Sequence, residues 1–536
     1  MSMNDKLNQI INSNDIHDSF KCLPYGTAGY RMNSKYLNGF TVRMSFLAAM
    51  RSMYKAKTVG IMITASHNPE CDNGIKLVDP DGEMLIREWE FIAMEFVEWI
   101  SSEFFNKFIT KCSDLKVDLN SKYKGNVLIG FDTRNSSPLL AELTTSVLKE
   151  IGCEYFLFEY ITTPQLHFFV KYYNENPNTI YNNLTEHYFE KLSSAFCMNK
   201  SNSEAPPVLN VDCANGVGAK HLERLSKLVS KQLNLKLHNI SQENLNFDCG
   251  ADHVKIKQSV PIIHNGDCSE LVPGSRWCSI DGDADRIVYF SINHLNQMQL
   301  FDGDKIAVLM ADYLTDILKT ELELNHFSMA IIQTAYANSA STEYIENQLK
   351  IKTECVPTGV KYLHKAAKKY DIGIYFEANG HGTVLFSEKL RNYAALLTHN
   401  NELCRFINII NEADGDAISD LLIIEHILSV RNWDLEHWFV LYTDYPSRQL
   451  KVTVPDRNVF ITTDAERKLE SPISLQNAID KAIQSQLTMG FKHSRAFVRP
   501  SGTEDIVRIY VESSNQEAAD KLAHSIEKLI NEMTRY

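Results

Sequence analysis

The sequence of 536 residues lacks several features that mark specialised classes of protein. Its eleven cysteines are odd in number and include no Cys-x-x-Cys pair, which argues against a disulfide framework and against a thiolate zinc site. No apolar run reaches the roughly 18 residues of a membrane span. The first residues also show no basic-then-apolar signal pattern. We therefore expect reduced cysteines, a cytoplasmic location and no membrane partner.

Positive charge is also scarce, since 54 Lys and Arg stand against 67 Asp and Glu and the formal net charge is −13. A nucleic-acid partner would require a basic stripe, so we expect none. An anionic small substrate would instead need arginines placed locally. With 44% hydrophobic and 23% charged residues the composition is that of a globular protein, and the length predicts roughly three or four domains.

One unit recurs along the chain: an apolar strand, a polar or glycine-bearing loop, and a segment with helical periodicity. Strands are predicted at 126–131, 207–212 and 329–332, with helices at about 138–151 and 342–349. Strands that alternate with helices predict parallel α/β sheets. Such sheets place their chemistry in loops at the carboxyl ends of strands.

Two other regions differ from this pattern. The tail from about Trp438 has predicted strands at 449–454 and 507–512 around helices, which predicts a smaller α+β domain. The stretch Tyr173–Glu204 is rich in Asn, Ser and Glu, and we interpret it as a linker or a surface insertion.

The segment MITASHNPECDNGIKLVD, from Met62 to Asp79, places Ser66 directly after the predicted buried strand Val59–Ile63. A turn that only ends the strand is the simpler interpretation, because Asn-Pro is a turn dipeptide and Ser or His can cap free backbone groups. The alternative is that the loop presents the Ser66 hydroxyl for chemistry.

A second signal is the series Asp281, Asp283 and Asp285, spaced two residues apart. In an extended segment all three carboxylates would point the same way, and their mutual repulsion favours a hard cation such as Mg²⁺ among them. An EF-hand is excluded because Arg286 and Ile292 stand where it needs Gly and Glu. A solvated acidic turn remains the alternative. The nearby Asp304 precedes an apolar-periodic segment and is interpreted as a helix N-cap.

Two further loops carry polar groups. The segment Arg499–Asp505, followed by Arg508, combines hydroxyls, a glycine and two arginines, which are the parts of a phosphate cradle, although a tight turn would also use Ser-Gly-Thr. The loop Glu377–Gly382 follows a predicted strand at 372–376 and offers a carboxylate, an amide and an imidazole, which suit sugar hydroxyls. A polar turn between strands is its alternative.

In this order, the serine loop, the aspartate series, the polar loop and the phosphate loop resemble those of the α-D-phosphohexomutase superfamily. The resemblance runs from Tyr25–Arg31 to Arg508, nearly the whole chain. The amino-acid sequences of the motifs at 281–286 and 377–382 are similar to those of the superfamily branch that acts on N-acetylglucosamine phosphates. In that branch, as here, the segment Gly130–Arg134 follows the serine loop.

The resemblance implies a fold of three related α/β domains with mixed or parallel sheets and a smaller C-terminal α+β domain, in a heart shape around a central cleft. We expect domain 1 at 1–175 with the phosphoserine loop and domain 2 at 176–295 with the metal loop. Domain 3 is expected at 296–437 with the sugar loop, and domain 4 at 438–536 with the phosphate loop.

The resemblance also implies an isomerase that interconverts N-acetylglucosamine 6-phosphate and 1-phosphate, in the biosynthesis of UDP-N-acetylglucosamine. Ser66 would carry the phosphoryl group, and a sugar bisphosphate would be the intermediate and activator. One Mg²⁺ per site would be held by Ser66 and the three aspartates, Arg286 would add positive charge, and Lys76 or His67 would serve as base. The remaining residues expected to bind substrate are Arg31, Thr358, Gly359, Glu377, Asn379, His381, Arg499, Ser501, Gly502, Thr503 and Arg508.

Two alternative functions stay open at this stage. A metal-dependent serine phosphomonoesterase would use the same serine and metal, but an intermediate with two phosphates explains why a separate phosphate cradle is present. A phosphoglucomutase or phosphomannomutase is the other alternative. The partner is expected to be a small phosphosugar, and we expect a monomer.

Overall fold

The computed structural model describes residues 3–26, 29–198, 206–263, 271–320, 326–398, 401–502 and 505–534. The chain divides into two compact units. Unit 1 comprises 1–302, 379–383 and 394–431, and unit 2 comprises 303–378, 384–393 and 432–536. Within the described ranges, no helix combines the length and the apolar character needed to cross a bilayer.

The first sheet of unit 1 has five strands in the order β1-β3-β2-β4-β5. The strands are β1 (Tyr30–Asn33), β2 (Val59–Ile63), β3 (Asp72–Val78), β4 (Asn126–Phe131) and β5 (Glu154–Phe158). All residues of β2 are buried, as expected for a strand covered on both faces. Because β2 and β4 are parallel and Ile63 pairs with Phe131, the loops that follow these two strands leave the same edge of the sheet.

Seven helices accompany this sheet within the described part of 3–198. They are α1 (Met3–Ser13), α2 (Asn38–Lys55), α3 (Arg87–Glu98), α4 (Ser101–Asp114), α5 (Ser137–Ile151), α6 (Thr163–Glu175) and α7 (Leu184–Phe196). The predicted helix at 138–151 is confirmed by α5. In α5, Leu140, Val147 and Leu148 are buried, and the helix ends at Gly152, whose φ of +81° suits a C-terminal cap.

The prediction of a linker at 173–204 is wrong for the part that the structure describes. Residues 173–175 complete α6, and α7 buries Leu184, Tyr188 and Leu192. These apolar residues recur at helical spacing, but the many Asn, Ser and Glu residues between them obscured the period. Residues 199–204 lie outside the described residues.

The second sheet of unit 1 has the order β10-β9-β8-β6-β7. Its strands are β6 (Val208–Asp212), β7 (Asn234–His238), β8 (Trp277–Ile280), β9 (Ile287–Ile292) and β10 (Met298–Phe301). Strands β6, β7 and β8 are parallel, whereas β9 is antiparallel to β8 and to β10. Residues 281–286 therefore form the reversal between β8 and β9. The other helices of unit 1 are α8 (Gly218–Val229), α9 (Ala251–Lys257), α14 (Glu402–Ile409) and α15 (Ala417–Arg431).

The third sheet has the order β12-β11-β13-β14. Its strands are β11 (Met329–Gln333), β12 (Lys352–Cys355), β13 (Ile372–Phe376) and β14 (Gly382–Phe386), and its helices are α10 (Gly303–Thr320), α11 (Ser339–Tyr344), α12 (Val360–Ala367) and α13 (Glu388–Ala394). The helix expected at 342–349 begins earlier, in α11, and continues as a π-helical turn over Ile345–Leu349. The N-cap prediction for Asp304 is wrong, because α10 already begins at Gly303. Asp304 lies in the first turn and accepts a hydrogen bond from the Asn338 N–H at 2.8 Å.

The C-terminal part of unit 2 is built on an antiparallel sheet with the order β15-β19-β18, and a separate two-stranded hairpin. Its strands are β15 (Ser447–Thr453), β16 (Ile461–Thr463), β17 (Lys468–Ser471), β18 (Arg495–Pro500) and β19 (Ile506–Glu512), and its helices are α16 (Leu435–Phe439), α17 (Ile473–Thr488) and α18 (Gln516–Thr534). Apolar residues of α17 and α18 join Val507 and Ile509 in one core. The predicted fold class, α/β sheets followed by a smaller α+β part, is confirmed.

Candidate active site

Ser66 lies three residues after β2, on a tight and strained turn. Its φ is +50°, a left-handed conformation that is uncommon for a residue with a side chain. The residue is fully buried, and its N–H donates to Thr64 Oγ1 at 3.0 Å. Such strain persists only where the surroundings fix the backbone.

Asp132 and Arg134 fix this backbone from the loop after β4. Arg134 is buried and donates to Asp132 Oδ2 at 3.0 Å, and the same oxygen accepts from Thr64 Oγ1 at 2.7 Å. Arg134 also donates at 2.6–2.9 Å to four carbonyl oxygens of the serine loop, those of Ser66, Asn68, Pro69 and Asp72. In the sequence, this segment contributes to the family resemblance through its position after the serine loop, and Asp132 and Arg134 were not predicted as site residues. The shared sheet edge of β2 and β4 is the signal that could have assigned it to the site.

The three aspartates meet at the serine. Ser66 Oγ donates to Asp281 Oδ2 at 2.6 Å, and Asp281, Asp283 and Asp285 each offer one carboxylate oxygen within 4.8 Å of the others. The segment is a turn rather than an extended strand, with Ala284 at a φ of +58°. The carboxylates therefore converge because the chain folds back on itself, not because of strand alternation. We call Ser66 and the three aspartates the aspartate site.

Gly282 allows this loop to contact the serine loop. A Cβ atom at Gly282 would lie 2.7 Å from the Ser66 carbonyl oxygen and 2.9 Å from Asn246 Nδ2. Asn246 Nδ2 itself donates to the Ser66 carbonyl at 2.9 Å, so there is no room for a larger residue. The close approach of two backbones explains the glycine at this position.

The donor set of the aspartate site suits Mg²⁺. Asp283 Oδ1 and Asp285 Oδ1 are buried and have no hydrogen-bond partner among the described residues. Burial, together with the neighbouring Asp285 and Asp283, raises the pKa of Asp281 well above its ordinary value. A hard divalent cation would satisfy these oxygens and stabilise the ionised carboxylates.

Cationic side chains surround the three carboxylates. Lys76 on β3 is buried, with Nζ 3.8 Å from Asp285 Oδ2 and 4.0 Å from Asp283 Oδ2. Arg286 Nε lies 3.6 Å from Asp285 Oδ1, and its Nη1 donates to Asp252 Oδ1 at 2.8 Å. Asp285 therefore resides in a positive environment. Burial works against its charge, but His381, Lys76 and Arg286 hold the pKa of Asp285 well below its ordinary value.

Two further predicted residues lie in unit 1 beside these groups. Arg31 is on β1, and its Nε is buried without a partner among the described residues; burial lowers its pKa, although the Asp283 carboxylate opposes this. His67 Nε2 lies 3.6 Å from Asp252 Oδ2, and its Nδ1 is buried and unpartnered within the described ranges. Burial and the Arg286 charge lower the pKa of His67 to about 3, so the ring is neutral near pH 7.

His381 is placed by the structure against the aspartate loop. Its Nδ1 is 2.9 Å from the Asp285 carbonyl oxygen, and its Nε2 is 3.3 Å from Asp414 Oδ1. Asp414 also faces His167 at 3.3 Å. Burial disfavours a charged ring, but Asp285 and Asp414 more than offset it and hold the pKa of His381 well above its ordinary value. Sequence reasoning missed Asp414 and His167, because no motif links them to the aspartates.

The loop that carries His381 is fixed by backbone contacts. Gly380 has a φ of +87°, and a Cβ there would lie 1.9 Å from the Ile287 carbonyl oxygen. Asn379 Oδ1 accepts the His381 N–H at 3.1 Å. Glu377 directly follows β13 in unit 2 and is half-buried. The assignment of this loop to the sugar stays a prediction.

In unit 2, Arg499 on β18 stands opposite Arg508 on β19. Arg499 Nη1 binds Glu466 Oε1 at 2.9 Å, and its Nε donates to the Tyr336 hydroxyl at 3.2 Å. The backbone N–H of Thr358 donates to Glu466 Oε2 at 2.9 Å. Glu466 and Tyr336 were not singled out by the sequence analysis.

The remaining predicted residues of unit 2 lie on the loops next to these strands. Ser501 is buried and its N–H donates to the Ile506 carbonyl at 2.9 Å, Gly502 is exposed, and Gly359 directly precedes α12 with a φ of +130°. Thr503 lies outside the described residues. We call Thr358, Arg499, Ser501 and Arg508 the arginine site.

Four family models match segments of the chain. The model "Phosphoacetylglucosamine mutase AMG1, domain III" matches residues 302–433, and the domain II model of the same family matches 178–288. The model "Phosphoglucomutase/phosphomannomutase, alpha/beta/alpha domain I" matches 35–103 and 99–181, and the C-terminal domain model of that family matches 452–529. Together these matches extend over most of the chain.

Whole-length relatives are also found. The chain is 43% identical to phosphoacetylglucosamine mutase 1 of Schizosaccharomyces pombe, over 94% of this chain and 98% of the relative. It is also 43% identical to the human phosphoacetylglucosamine mutase, over 94% and 93%. Sequence identities this high over nearly the whole length indicate a shared family and not only a shared fold.

Among solved structures, N-acetylphosphoglucosamine mutase of Aspergillus fumigatus superposes with a TM-score of 0.92 at 36% identity, covering 100% of this chain and 99% of that one. A second structure of that enzyme, with a TM-score of 0.91, 36% identity and the same coverage, contains GlcNAc-6P and magnesium. A serine-to-alanine variant of it, with a TM-score of 0.91, 37% identity and 99% coverage of both chains, contains glucose 1,6-bisphosphate. Since sequence, fold and family models agree over nearly the full length, this chain belongs to the phosphoacetylglucosamine mutase family.

Proposed function

We propose that this enzyme interconverts N-acetylglucosamine 6-phosphate and N-acetylglucosamine 1-phosphate by phosphoryl transfer through Ser66. The observation that carries the proposal is the contact of Ser66 Oγ with Asp281 Oδ2 at 2.6 Å, beside two further carboxylates and Lys76. A nucleophile, a cation-binding set and a nearby positive charge are the parts that phosphoryl transfer needs.

In the proposed cycle, phosphorylated Ser66 donates its phosphoryl group to the free hydroxyl of the bound sugar phosphate. The bond between phosphorus and the serine oxygen breaks, a bond to the sugar oxygen forms, and the sugar hydroxyl loses its proton. The resulting sugar bisphosphate turns over in the site and returns its other phosphoryl group to Ser66. Mg²⁺ held by Ser66 and the three aspartates would neutralise charge on the transferring group. Arg286 adds positive charge from the protein.

A base near the sugar hydroxyl must accept the proton, and two residues stay candidates. Lys76 lies within 4.0 Å of both Asp283 and Asp285, and His67 lies beside Asp252 and Arg286. We propose that one of them takes the proton while the other orients the transferring group. Replacing each by an uncharged residue and comparing single-turnover rates of transfer from phosphorylated Ser66 would identify the base.

The substrate assignment rests on the arginine site and on the loop 377–382. Arg499 and Arg508 lie on paired strands in unit 2, and guanidinium groups match phosphate oxygens. We propose that they bind the phosphate that is not transferred, with Ser501, Gly502 and Thr503 adding backbone and hydroxyl donors. In unit 2 we assign Glu377, Thr358 and Gly359 to sugar binding. In unit 1 we assign Asn379 to sugar binding and Arg31 and His381 to substrate binding. The binding of GlcNAc-6P by the Aspergillus fumigatus relative supports this choice of sugar.

The finer assignments are part of the same proposal. We place the enzyme in the cytosol, in UDP-N-acetylglucosamine biosynthesis, as a monomer with one Mg²⁺ per site. The ten described cysteines form no disulfide with one another, which fits a reducing compartment. We also propose four domains with boundaries near residues 175, 295 and 437. The separate sheets support this division, except that β10 (Met298–Phe301) pairs with β9 of the second sheet and favours a second boundary after residue 301.

Phosphorus NMR exchange experiments test the proposal. The enzyme, primed with a catalytic amount of sugar bisphosphate, is incubated in parallel with the 6-phosphates of N-acetylglucosamine, glucose and mannose. We expect conversion of the acetylated sugar to its 1-phosphate to be the fastest, with no free phosphate released. Release of inorganic phosphate without isomerisation would indicate a phosphomonoesterase, and faster conversion of glucose or mannose phosphate would indicate a different mutase.

A further inference from the structure

Glu466 joins two predicted substrate-binding elements of unit 2. One carboxylate oxygen, Oε1, accepts from Arg499 Nη1 at 2.9 Å. The other, Oε2, accepts from the Thr358 N–H at 2.9 Å and from the Thr358 hydroxyl at 2.5 Å. All three donors are therefore directed at a single side chain, which is only 17% exposed.

The backbone that carries Glu466 is unusual. Glu466 lies in the turn between β16 and β17, where Asp464, Ala465 and Glu466 all have positive φ, at 52°, 53° and 68°. Three successive residues with side chains rarely adopt the left-handed conformation. The turn is held by Arg467, whose guanidinium donates to the carbonyl and to the carboxylate of Asp464. Strain of this kind is retained where it places a side chain that function needs.

Two of the three guanidinium nitrogens of Arg499 donate hydrogen bonds to other side chains. Nε donates to the Tyr336 hydroxyl and Nη1 donates to Glu466, and no described residue accepts a hydrogen bond from Nη2. The guanidinium carbon also lies 5.5 Å from the centre of the Tyr336 ring. The plane and the direction of this side chain are thus set before any ligand binds, and Nη2 is the nitrogen left for an anion.

Glu466 also offsets repulsion between two arginines. Arg499 and Arg508 are directly opposite on antiparallel strands, so their side chains extend on the same face of the sheet. Arg508 Nε is buried without a hydrogen-bond partner among the described residues. The carboxylate of Glu466 balances one of the two positive charges, which lowers the cost of holding both at the same place.

We infer that Glu466 is a positioning residue for phosphosugar binding: its carboxylate fixes Arg499 and the Thr358 loop in the arrangement that receives the substrate. The inference rests on the proposed function, because it takes Arg499 and Thr358 as substrate contacts. It goes beyond that proposal by assigning the specificity of the arginine site to a residue that does not itself touch the ligand.

A different role for the same carboxylate would be to occupy the phosphate position and compete with substrate. An anion that substitutes for phosphate would take the paired donors of the guanidinium, which favour two parallel hydrogen bonds. Glu466 instead binds a single nitrogen of Arg499 and uses its other oxygen on Thr358. This geometry favours positioning over competition, and the two roles predict opposite changes in affinity.

The test compares Glu466→Ala and Glu466→Gln with the full-length parent enzyme. We expect Glu466→Ala to raise KM for N-acetylglucosamine 6-phosphate about 10- to 50-fold, with kcat changed less than about threefold, because only ligand capture is impaired. The inhibition constant for inorganic phosphate should rise in parallel. Glu466→Gln keeps an acceptor for Thr358 but loses the charge, so it should recover part of the affinity. Glu470→Gln, an exposed residue on the same hairpin, is the control and should leave both constants unchanged.

A double-mutant cycle with Arg499→Ala separates positioning from general destabilisation. Because Glu466 acts partly through Arg499, adding Glu466→Ala to Arg499→Ala should raise KM by a smaller factor than Glu466→Ala does in the parent, and the remaining factor measures its action through Thr358. Fully additive losses would overturn the inference, as would a lower KM in Glu466→Ala, which is the result expected of a competing carboxylate. An unchanged KM in Glu466→Ala with normal parent activity would refute the inference alone. A parent enzyme without mutase activity would instead refute the proposed function.

Discussion

The aspartate site and the arginine site differ in their exposure to solvent and in the contacts that hold their residues in place. In the aspartate site Ser66, Asp281, Asp283 and Asp285 are each at most 5% exposed, and the loops that carry them are in backbone contact. In the arginine site the side chain of Arg499 is 15% exposed, and Gly502, which follows Ser501 of this site, is exposed. One site is built into the interior of its unit, whereas the other is held at the surface of its unit by side-chain contacts.

The difference fits the two tasks that we propose. Transfer of a phosphoryl group depends on fixed donors and charges, because little covalent chemistry is available to compensate for a misplaced group. The phosphate that is not transferred must be held whichever end of the sugar faces Ser66, so its receptor should recognise charge and geometry. A partly exposed arginine that is oriented by Glu466 and Tyr336 can do this without being fully enclosed.

The largest effect is expected from Ser66→Ala, which removes the nucleophile from the aspartate site. We expect mutase turnover to fall by at least about a thousandfold, because the variant lacks the hydroxyl that contacts Asp281 and that we propose carries the phosphoryl group. Alanine has the same steric limits at a φ of +50° as serine, so the backbone should be unchanged. Steady-state kinetics measure the mutase turnover. The mass of the intact protein after incubation with sugar bisphosphate shows whether it has become phosphorylated.

The matched control is Ser45→Ala, which removes a buried hydroxyl that donates to the Thr41 carbonyl within α2. Its turnover should stay within about twofold of the parent, since it only affects a local helix contact. A Ser66→Ala variant that keeps a tenth of the parent rate would rule out a phosphoserine at this position.

The next largest effect is expected from Asp283→Asn. The change keeps the acceptor for Thr163 Oγ1, which lies 2.6 Å from Asp283 Oδ2, but removes a charge from the cation site. We expect kcat to fall about 100-fold and the Mg²⁺ concentration for half-maximal activity to rise at least about tenfold. Activity measured against Mg²⁺ concentration, after chelation of metal, gives both numbers.

Asp520→Asn is the control for loss of an acidic charge, because Asp520 is a half-buried residue on α18 that pairs with the exposed Arg448. Its Mg²⁺ dependence should match that of the parent. If Asp283→Asn also matched the parent, the three aspartates would be a structural turn and the Mg²⁺ assignment would be wrong.

Much of the fold was predictable because local patterns carried it. The strands Val59–Ile63 and Asn126–Phe131 were predicted with the boundaries that β2 and β4 have, since each is an unbroken apolar run that ends in polar residues. The convergence of the three aspartates was also predicted, although the mechanism was wrong. The chain brings them together in a turn with Ala284 left-handed, and spacing alone does not encode that turn.

The contacts that support the site could not be predicted in the same way. Arg134, Asp414 and Glu466 each contact residues far away in the sequence. Asp414 and Glu466 lie in no recognisable motif, and the segment that contains Arg134 is recognisable but does not show which loop its side chain contacts. Pairing of β2 with β4 brings Arg134 to the serine loop, and the strained hairpin turn brings Glu466 to Arg499. Such residues are determined by tertiary packing, so a single sequence gives no local signal for them.

Arg499→Ala removes the side chain of the arginine site that we propose binds the phosphate directly. A hydrogen bond to a charged group contributes about 1.5–3 kcal/mol, so kcat/KM should fall roughly 10- to 150-fold. Arg499→Lys keeps the charge but loses the planar donor pattern that Tyr336 and Glu466 now hold, and it should recover only part of the loss. Steady-state kinetics with the 6-phosphate measure both variants.

Arg448→Ala is the control for removing an exposed arginine, since Arg448 pairs with Asp520 at the surface. Its kinetic constants should stay near those of the parent. Full recovery of kcat/KM by Arg499→Lys would mean that only charge matters at this position and that the guanidinium geometry does not.

The smallest effects are expected from a pair of glycine-to-alanine changes, one beside each site. At Gly282 a new Cβ would lie 2.7 Å from the Ser66 carbonyl oxygen, so either the serine loop or the aspartate loop must shift. A misfit of this size in a packed interior lowers the free energy of unfolding by about 1–3 kcal/mol, and we expect kcat to fall roughly tenfold.

At Gly502 no described atom lies within 4 Å of the position of a Cβ, and φ is not in the left-handed region. Gly502→Ala should therefore change kcat less than about threefold. Because we propose that the Gly502 backbone contributes to phosphate binding, we expect KM to rise. Equal losses of kcat in the two variants would contradict the distinction between an enclosed aspartate site and an open arginine site.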